Sequence, residues 1–208
     1  MRCRVFVMLL LLLAVPARAL TFTPADMLGW QQERFEGRTD YRLVLVPELQ
    51  RRVLRAESRG AASGLVYEGR IDLQATPWLR WQWRVERFPA VGNEREKAGD
   101  DFALRVYVVV RDGWTRFSSK AISYVWTKQM PAGRVWPNPF AGDKAMMLAL
   151  QQGSKPGWAQ EKRNLKDDLR RLFGKDFRYL EAVAIMTDAD NGGGTAIGYY
   201  DSLMFSAH

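Results

Sequence analysis

Apolar and polar residues alternate along most of this chain, the period of two that marks strands lying half-buried against a core. The alternation predicts strands over 41–46 (YRLVLV), 51–58 (RRVLRAES), 63–73 (SGLVYEGRIDL), 78–85 (WLRWQWRV), 102–110 (FALRVYVVV), 120–126 (KAISYVW), 180–188 (LEAVAIMTD) and 195–205 (TAIGYYDSLMF). Turn signals accompany them at Arg59-Gly60, Glu68-Gly69, Thr76-Pro77, Asp112-Gly113, Pro137-Asn138-Pro139 and Gly192-Gly193-Gly194. This many short strands broken by turns imply a mainly β fold, a two-layer antiparallel β-sandwich of jelly-roll type.

One segment keeps a helical period instead. Leu165, Leu169, Leu172 and Phe173 share a face, which predicts a short amphipathic helix near 164–173. Asn164 caps its start, Asp167 and Asp168 sit in the first turn, Arg170 and Arg171 in the last, and Gly174 closes it. Such a helix would plug one side of the sandwich. No repeat or linker interrupts 20–208, which reads as one domain.

The pattern changes at the N-terminus. Arg2 and Arg4 precede an apolar run from Val5 to Pro16, followed by Ala17-Arg18-Ala19, the form of a secretory signal peptide over 1–19 cleaved after Ala19. The run is too short for a membrane span, and no later run is long enough, so the expectation is a periplasmic or secreted protein without a transmembrane segment. Cleavage removes Cys3, the only cysteine, and with it any disulfide or thiolate chemistry. It also lowers Lys plus Arg from 31 to 28 against 23 Asp and Glu, for a net charge of +5. That balance permits an anionic partner such as acidic polysaccharide, lipopolysaccharide or a membrane surface, while export argues against nucleic acid.

Facing bears on the tryptophans. Leu79, Trp81, Trp83 and Val85 share one side of their strand and read as core, as do Phe102, Leu104, Val106, Val108 and Val110 of theirs. The opposite positions, Trp78, Arg80, Gln82 and Arg84 with Arg105 and Tyr107, would form one surface if the two strands lie side by side. Trp126, Trp114, Trp136 and Trp158 could enlarge it. A sugar ring has an apolar face and a hydroxyl rim, which stacked aromatics and planar donors match. In the competing reading this face is covered and Arg105 is buried against Asp100 or Asp101.

Catalytic sets are largely excluded, because His208 is the only histidine and stands last, leaving no triad or HExxH zinc site. A carboxylate pair or a Tyr, Arg and Lys acid-base set would remain, drawn from Asp100, Asp101, Asp188, Asp190, Tyr107, Tyr124 and Lys120, with no spacing that singles out a pair. MTDADNGGG (186–194) offers Asp188, Asp190 and Asn191 as oxygen ligands for a structural Ca²⁺. It departs from the EF-hand at Gly192 and Tyr199, and a strand-ending turn without any cofactor is the preferred reading.

Taken in order, LRWQWRV (79–85), KAGDDFALRVYVVV (97–110), AISYVW (121–126), LFG (172–174), IMTDADN (185–191) and YYDSLMF (199–205) resemble the bacterial family known as domain of unknown function 3047. The resemblance implies an exported β-rich domain and supplies no catalytic residue. The closing YYDSLMF is similar, at the level of fold, to the last strand of jelly-roll carbohydrate-binding modules. The resulting expectation is an exported, non-catalytic sandwich that binds a glycan or other cell-envelope polymer through an aromatic and arginine-bearing sheet face. Two alternatives stay open: a hydrolase or lyase of envelope polysaccharide, and a structural or partner-binding envelope protein.

Overall fold

The structure, a computed structural model, describes residues 19–90, 92–113 and 118–208. All of the expected signal peptide but Ala19 lies outside the described residues, and so does Trp114. The elements are β1 (Leu20–Phe22), α1 (Pro24–Leu28), β2 (Gln31–Glu36), β3 (Asp40–Val46), β4 (Arg51–Arg59), β5 (Ala62–Asp72), β6 (Trp78–Arg87), β7 (Arg105–Arg111), β8 (Ser119–Thr127), β9 (Val135–Asn138), β10 (Gly142–Gln152), β11 (Ala159–Asn164), α2 (Leu165–Phe173), β12 (Tyr179–Asp188), β13 (Thr195–Tyr200) and β14 (Leu203–Ser206).

Two sheets form a β-sandwich. The first runs β1-β14-β6-β13-β4-β3, with β11 on the other edge of β6, and the second runs β2-β5-β12-β7-β8-β10-β9. The pairing is antiparallel except between β8 and β10, which run parallel, a departure from the wholly antiparallel build expected. Among the described residues no helix is long and apolar enough to cross a membrane.

The core is where the alternation put it. Leu79, Trp81 and Trp83 of β6 meet Val106 and Val108 of β7, Tyr124 and Trp126 of β8, and Val183 and Ile185 of β12 in one cluster. Rings cross between the layers: Trp81 lies 5.5 Å from Tyr124 and Trp83 6.1 Å from Trp126. Tilted and edge contacts of this kind add about 0.5–1.5 kcal/mol each to the area they bury. At Gly198 of β13 the backbones of the two layers come so close that a Cβ would stand 2.5 Å from the Ala103 carbonyl oxygen.

Helix α2 forms as its signals require. The Asn164 side chain accepts from the Lys166 and Asp167 amides, and Gly174 ends the helix at φ 69°. Leu165 and Leu169 enter the core, and Asp168, buried beneath, accepts from Tyr124 Oη at 2.8 Å and from Arg163 Nε at 2.8 Å.

The segment 102–104 differs from the expected strand, because β7 begins only at Arg105. Phe102 exchanges bonds with Asp188, its amide donating to Oδ1 and its carbonyl accepting from the Asp188 amide. That leaves Phe102 outside the main core, in a second cluster with Val125, Trp136 and Met147.

Candidate functional site

Strands β6 and β7 lie in different sheets. The long connection 88–104 carries the chain from one layer to the other instead of folding it into a hairpin. Trp78, Arg80, Gln82 and Arg84 therefore face outward from the first sheet, Arg105 and Tyr107 outward from the second, and the single platform expected of all six does not form. Trp126 is 1% exposed, tilted against Trp83 with its Nε1 donating to the Gly153 carbonyl at 2.9 Å, so it belongs to the core.

On the first sheet the planar groups are already stacked. The Arg84 guanidinium lies 4.5 Å from the Tyr199 ring and 5.4 Å from Trp158, and it pairs with Glu48 at 2.8 Å. Lys162 Nζ sits 4.4 Å above the Trp78 ring.

The second sheet gathers the rest. Arg105, only 2% exposed, is held by Asp188 through Nε at 2.9 Å and through a short Nη2 bond, by Asp100 at 3.3 Å, and by the Phe102 ring at 4.5 Å. Its Nη1 also donates to Tyr107 Oη at 3.3 Å. Two buried carboxylates share one buried guanidinium. Burial raises the Asp188 carboxyl to about 7 against the pull of Arg105, and burial likewise raises Asp100 and Asp190. Burial disfavours the Arg105 charge, yet Asp100 and Asp188 hold it protonated well above its usual range. A cluster of this kind positions the groups around it, and Asp100, Arg105 and Asp188 all border the cleft beside it.

Next to it opens a cleft of about 380 Å³ with Tyr107, Met186 and Asp188 in its floor and Asn138 and Asp190 at its sides. Phe35 and Phe140 line it from opposite edges of the sheet, and they are 72% and 56% exposed. Phe35 comes from β2, and Phe140 from the turn between β9 and β10, where Asn138 Oδ1 accepts from the Phe140 and Ala141 amides. Neither ring is among the residues expected from the pattern. Their signal is visible in retrospect as one aromatic set among charges in QQERFEG and one in the turn NPFAG.

Asp190 and Asn191 do meet Asp188 and Asp101 at one end of this cleft. Carboxylate oxygens of Asp101, Asp188 and Asp190 lie within 4.8 Å of one another, a spacing that admits a metal ion. The donor sets argue for a braced turn. Asp101 Oδ1 accepts from the Asn191 amide and side chain and Oδ2 from the Gly192 amide, while both Asp188 oxygens serve Arg105. Asp190 Oδ1 alone has no donor among the described residues, and one open carboxylate is a poor start for a Ca²⁺ shell of six or more oxygens.

The chain is similar in structure to the family 30 carbohydrate-binding module of a Clostridium thermocellum cellulosomal cellulase (10% identity, TM-score 0.47, covering 86% of this chain and 91% of that one). It is also similar to a carbohydrate-binding module solved with β-1,4-galactotriose (9%, TM-score 0.40, 86% and 90%), and to a low-affinity xylan-binding module of Roseburia intestinalis (12%, TM-score 0.35, 91% and 95%). A comparison with curated proteins finds no match. Residues 28–204 match the model of the family described as protein of unknown function DUF3047, and the chain belongs to that family.

Proposed function

We propose that this protein is an exported, non-catalytic module that binds a glycan in the cleft on the outer face of the second sheet. The observation that carries the reading is the pair of exposed rings, Phe35 and Phe140, lining one cleft from opposite edges of the sheet. Large apolar side chains exposed on both rims of one cleft mark a binding surface, and Lys97 Nζ stands 5.2 Å from the Phe140 ring centroid. A sugar ring supplies what the arrangement lacks: a C–H face to lie on the phenylalanines and hydroxyls to meet Asp190, whose Oδ1 has no donor among the described residues. The Arg105 cluster fixes the cleft floor from beneath. Among the described carboxylates lining the cleft, Asp100 and Asp188 are engaged by Arg105 and Asp190 is left open, an arrangement that favours binding over turnover.

A glycan array probed with the purified protein, alongside Phe35→Ala and Phe140→Ala, tests the reading, with reducing-end assays on every glycan bound. Binding that both variants lose, with no new ends, is the expected result. New ends would make the protein a hydrolase or lyase acting through the same cleft. Export is tested separately by sequencing the N-terminus of the protein recovered from cells, where a chain starting at Leu20 is expected and one starting at Met1 would contradict it.

A further inference from the structure

Strands β13 and β14 pair with the same edge of β6, β13 along 83–87 and β14 along 78–80. Between them the chain steps out of the ladder at Asp201 and Ser202, touching β6 through the Asp201 amide and the Gln82 carbonyl at 2.9 Å. The break opens a groove of about 700 Å³ on the outer face of the first sheet, lined by Arg51, Arg80, Gln82, Gln160, Lys162 and Ser202 among others. The groove lies on the layer opposite the phenylalanine cleft.

Register puts Lys162 directly opposite Arg80, and Gln160 directly opposite Gln82. On the other flank of Arg80 stands Met204. Directly opposed like charges on one sheet face destabilise the pair, whereas Arg51, Arg84 and Arg163 of the same sheet are answered by Asp201, Glu48 and Asp168. Arg80 and Lys162 make no ion pair among the described residues. Of the two carboxylates at the groove, Asp201 is taken by Arg51, and Glu161 accepts from Trp83 Nε1 and Gln151 Nε2. The groove thus keeps two unanswered cations beside two amides, and none of the exposed large hydrophobic residues lines it, as a surface that dips into lipid would require.

We infer that this groove is a second binding site, for an acidic polysaccharide whose carboxylate or sulfate groups lie between Arg80 and Lys162 while its hydroxyls meet Gln82 and Gln160. The Arg guanidinium suits such planar or tetrahedral oxyanions, and the stacked Lys162–Trp78 pair gives the chain a rigid edge to follow.

The test titrates the purified protein with oligogalacturonate and with dextran sulfate at 20 mM and 200 mM salt, against Arg80→Gln/Lys162→Gln. A control, Lys128→Gln/Arg134→Gln, removes the same charge from the β8–β9 loop of the other sheet. Binding of at least one polymer that weakens with salt, falls roughly tenfold or more in the groove variant, a loss of about 1.4 kcal/mol, and holds in the control is expected. Preference for one polymer identifies carboxylate or sulfate as the group read. Equal losses in groove variant and control, no binding to either polymer, or binding only to anionic phospholipid vesicles would overturn the proposal. Phe35→Ala leaves this binding unchanged, so failure here and failure of the glycan cleft are told apart.

Discussion

Replacing Arg105 with methionine keeps an apolar stem of similar length and deletes the cation that holds Asp188 and Asp100. The pH dependence follows from Asp188, whose carboxyl titrates at about 7 in the folded protein against 3.8 when exposed. A raised acid makes folding hold a proton that the unfolded chain releases, so its contribution is complete below about pH 4 and declines up to pH 7. Without Arg105 the carboxyl loses its main lowering influence and the decline continues past pH 7. At pH 5 Asp188 is protonated in both proteins, and the variant loses the Arg105 contacts that do not depend on the Asp188 charge: the Asp100 pair, the Phe102 ring and the bond to Tyr107. At pH 8, above the native value, the loss of Arg105 favours the protonated carboxyl further, so the variant loses more stability there than at pH 5. Together with the constant part, the loss at pH 8 should approach the roughly 3–5 kcal/mol expected when one partner of a buried pair is removed. Urea denaturation followed by tryptophan fluorescence reads both values, and Arg105→Met/Asp188→Asn should flatten the difference. A loss equal at pH 5 and pH 8, or below about 1 kcal/mol at pH 8, would refute the reasoning.

Three further outcomes follow from single features. Asn164→Ala removes the acceptor for the Lys166 and Asp167 amides and should cost about 1 kcal/mol in chemical denaturation; a neutral result would mean that core packing alone holds α2. Gly198→Ala drives a methyl against Ala103 and Leu104 and should cost roughly 1–3 kcal/mol, whereas an unchanged midpoint would show that the sheets part easily there. Calcium at millimolar concentration should move the melting temperature by less than about 1 °C relative to chelator, because Asp101 and Asp188 already have their donors; a shift of several degrees would make Asp101, Asp188 and Asp190 a metal site.

The strands that face the core on one side were legible because burial writes a period of two: β3 to β6, β8 and β12 match the alternation closely, β7 starts three residues later than expected, and Trp81 and Trp83 are core as their facing required. Strands β2 (QQERFE) and β11 (AQEKRN) were not, since edge strands hold their place by backbone bonds to β5 and β6 with few buried side chains. Strand β10 hides its role in Gly142, Met146 and Met147, residues without a β preference, because its place is set by parallel pairing with β8. The expected strand 195–205 splits at Asp201, where the chain steps away from β6. What local pattern could not give was which sheet each strand joins. That choice separated Trp78, Arg80, Gln82 and Arg84 from Arg105 and Tyr107, and it brought Phe35 and Phe140 together across about a hundred residues.

The central claim is that the rings of Phe35 and Phe140 grip a sugar over the Arg105-braced floor, and titration calorimetry with the best glycan from the array tests it most directly. Each alanine variant should weaken binding roughly tenfold or more while its unfolding midpoint corresponds to within about 0.5 kcal/mol of the native protein, since both rings are exposed. Glycan affinity left intact in Phe35→Ala/Phe140→Ala would contradict the account.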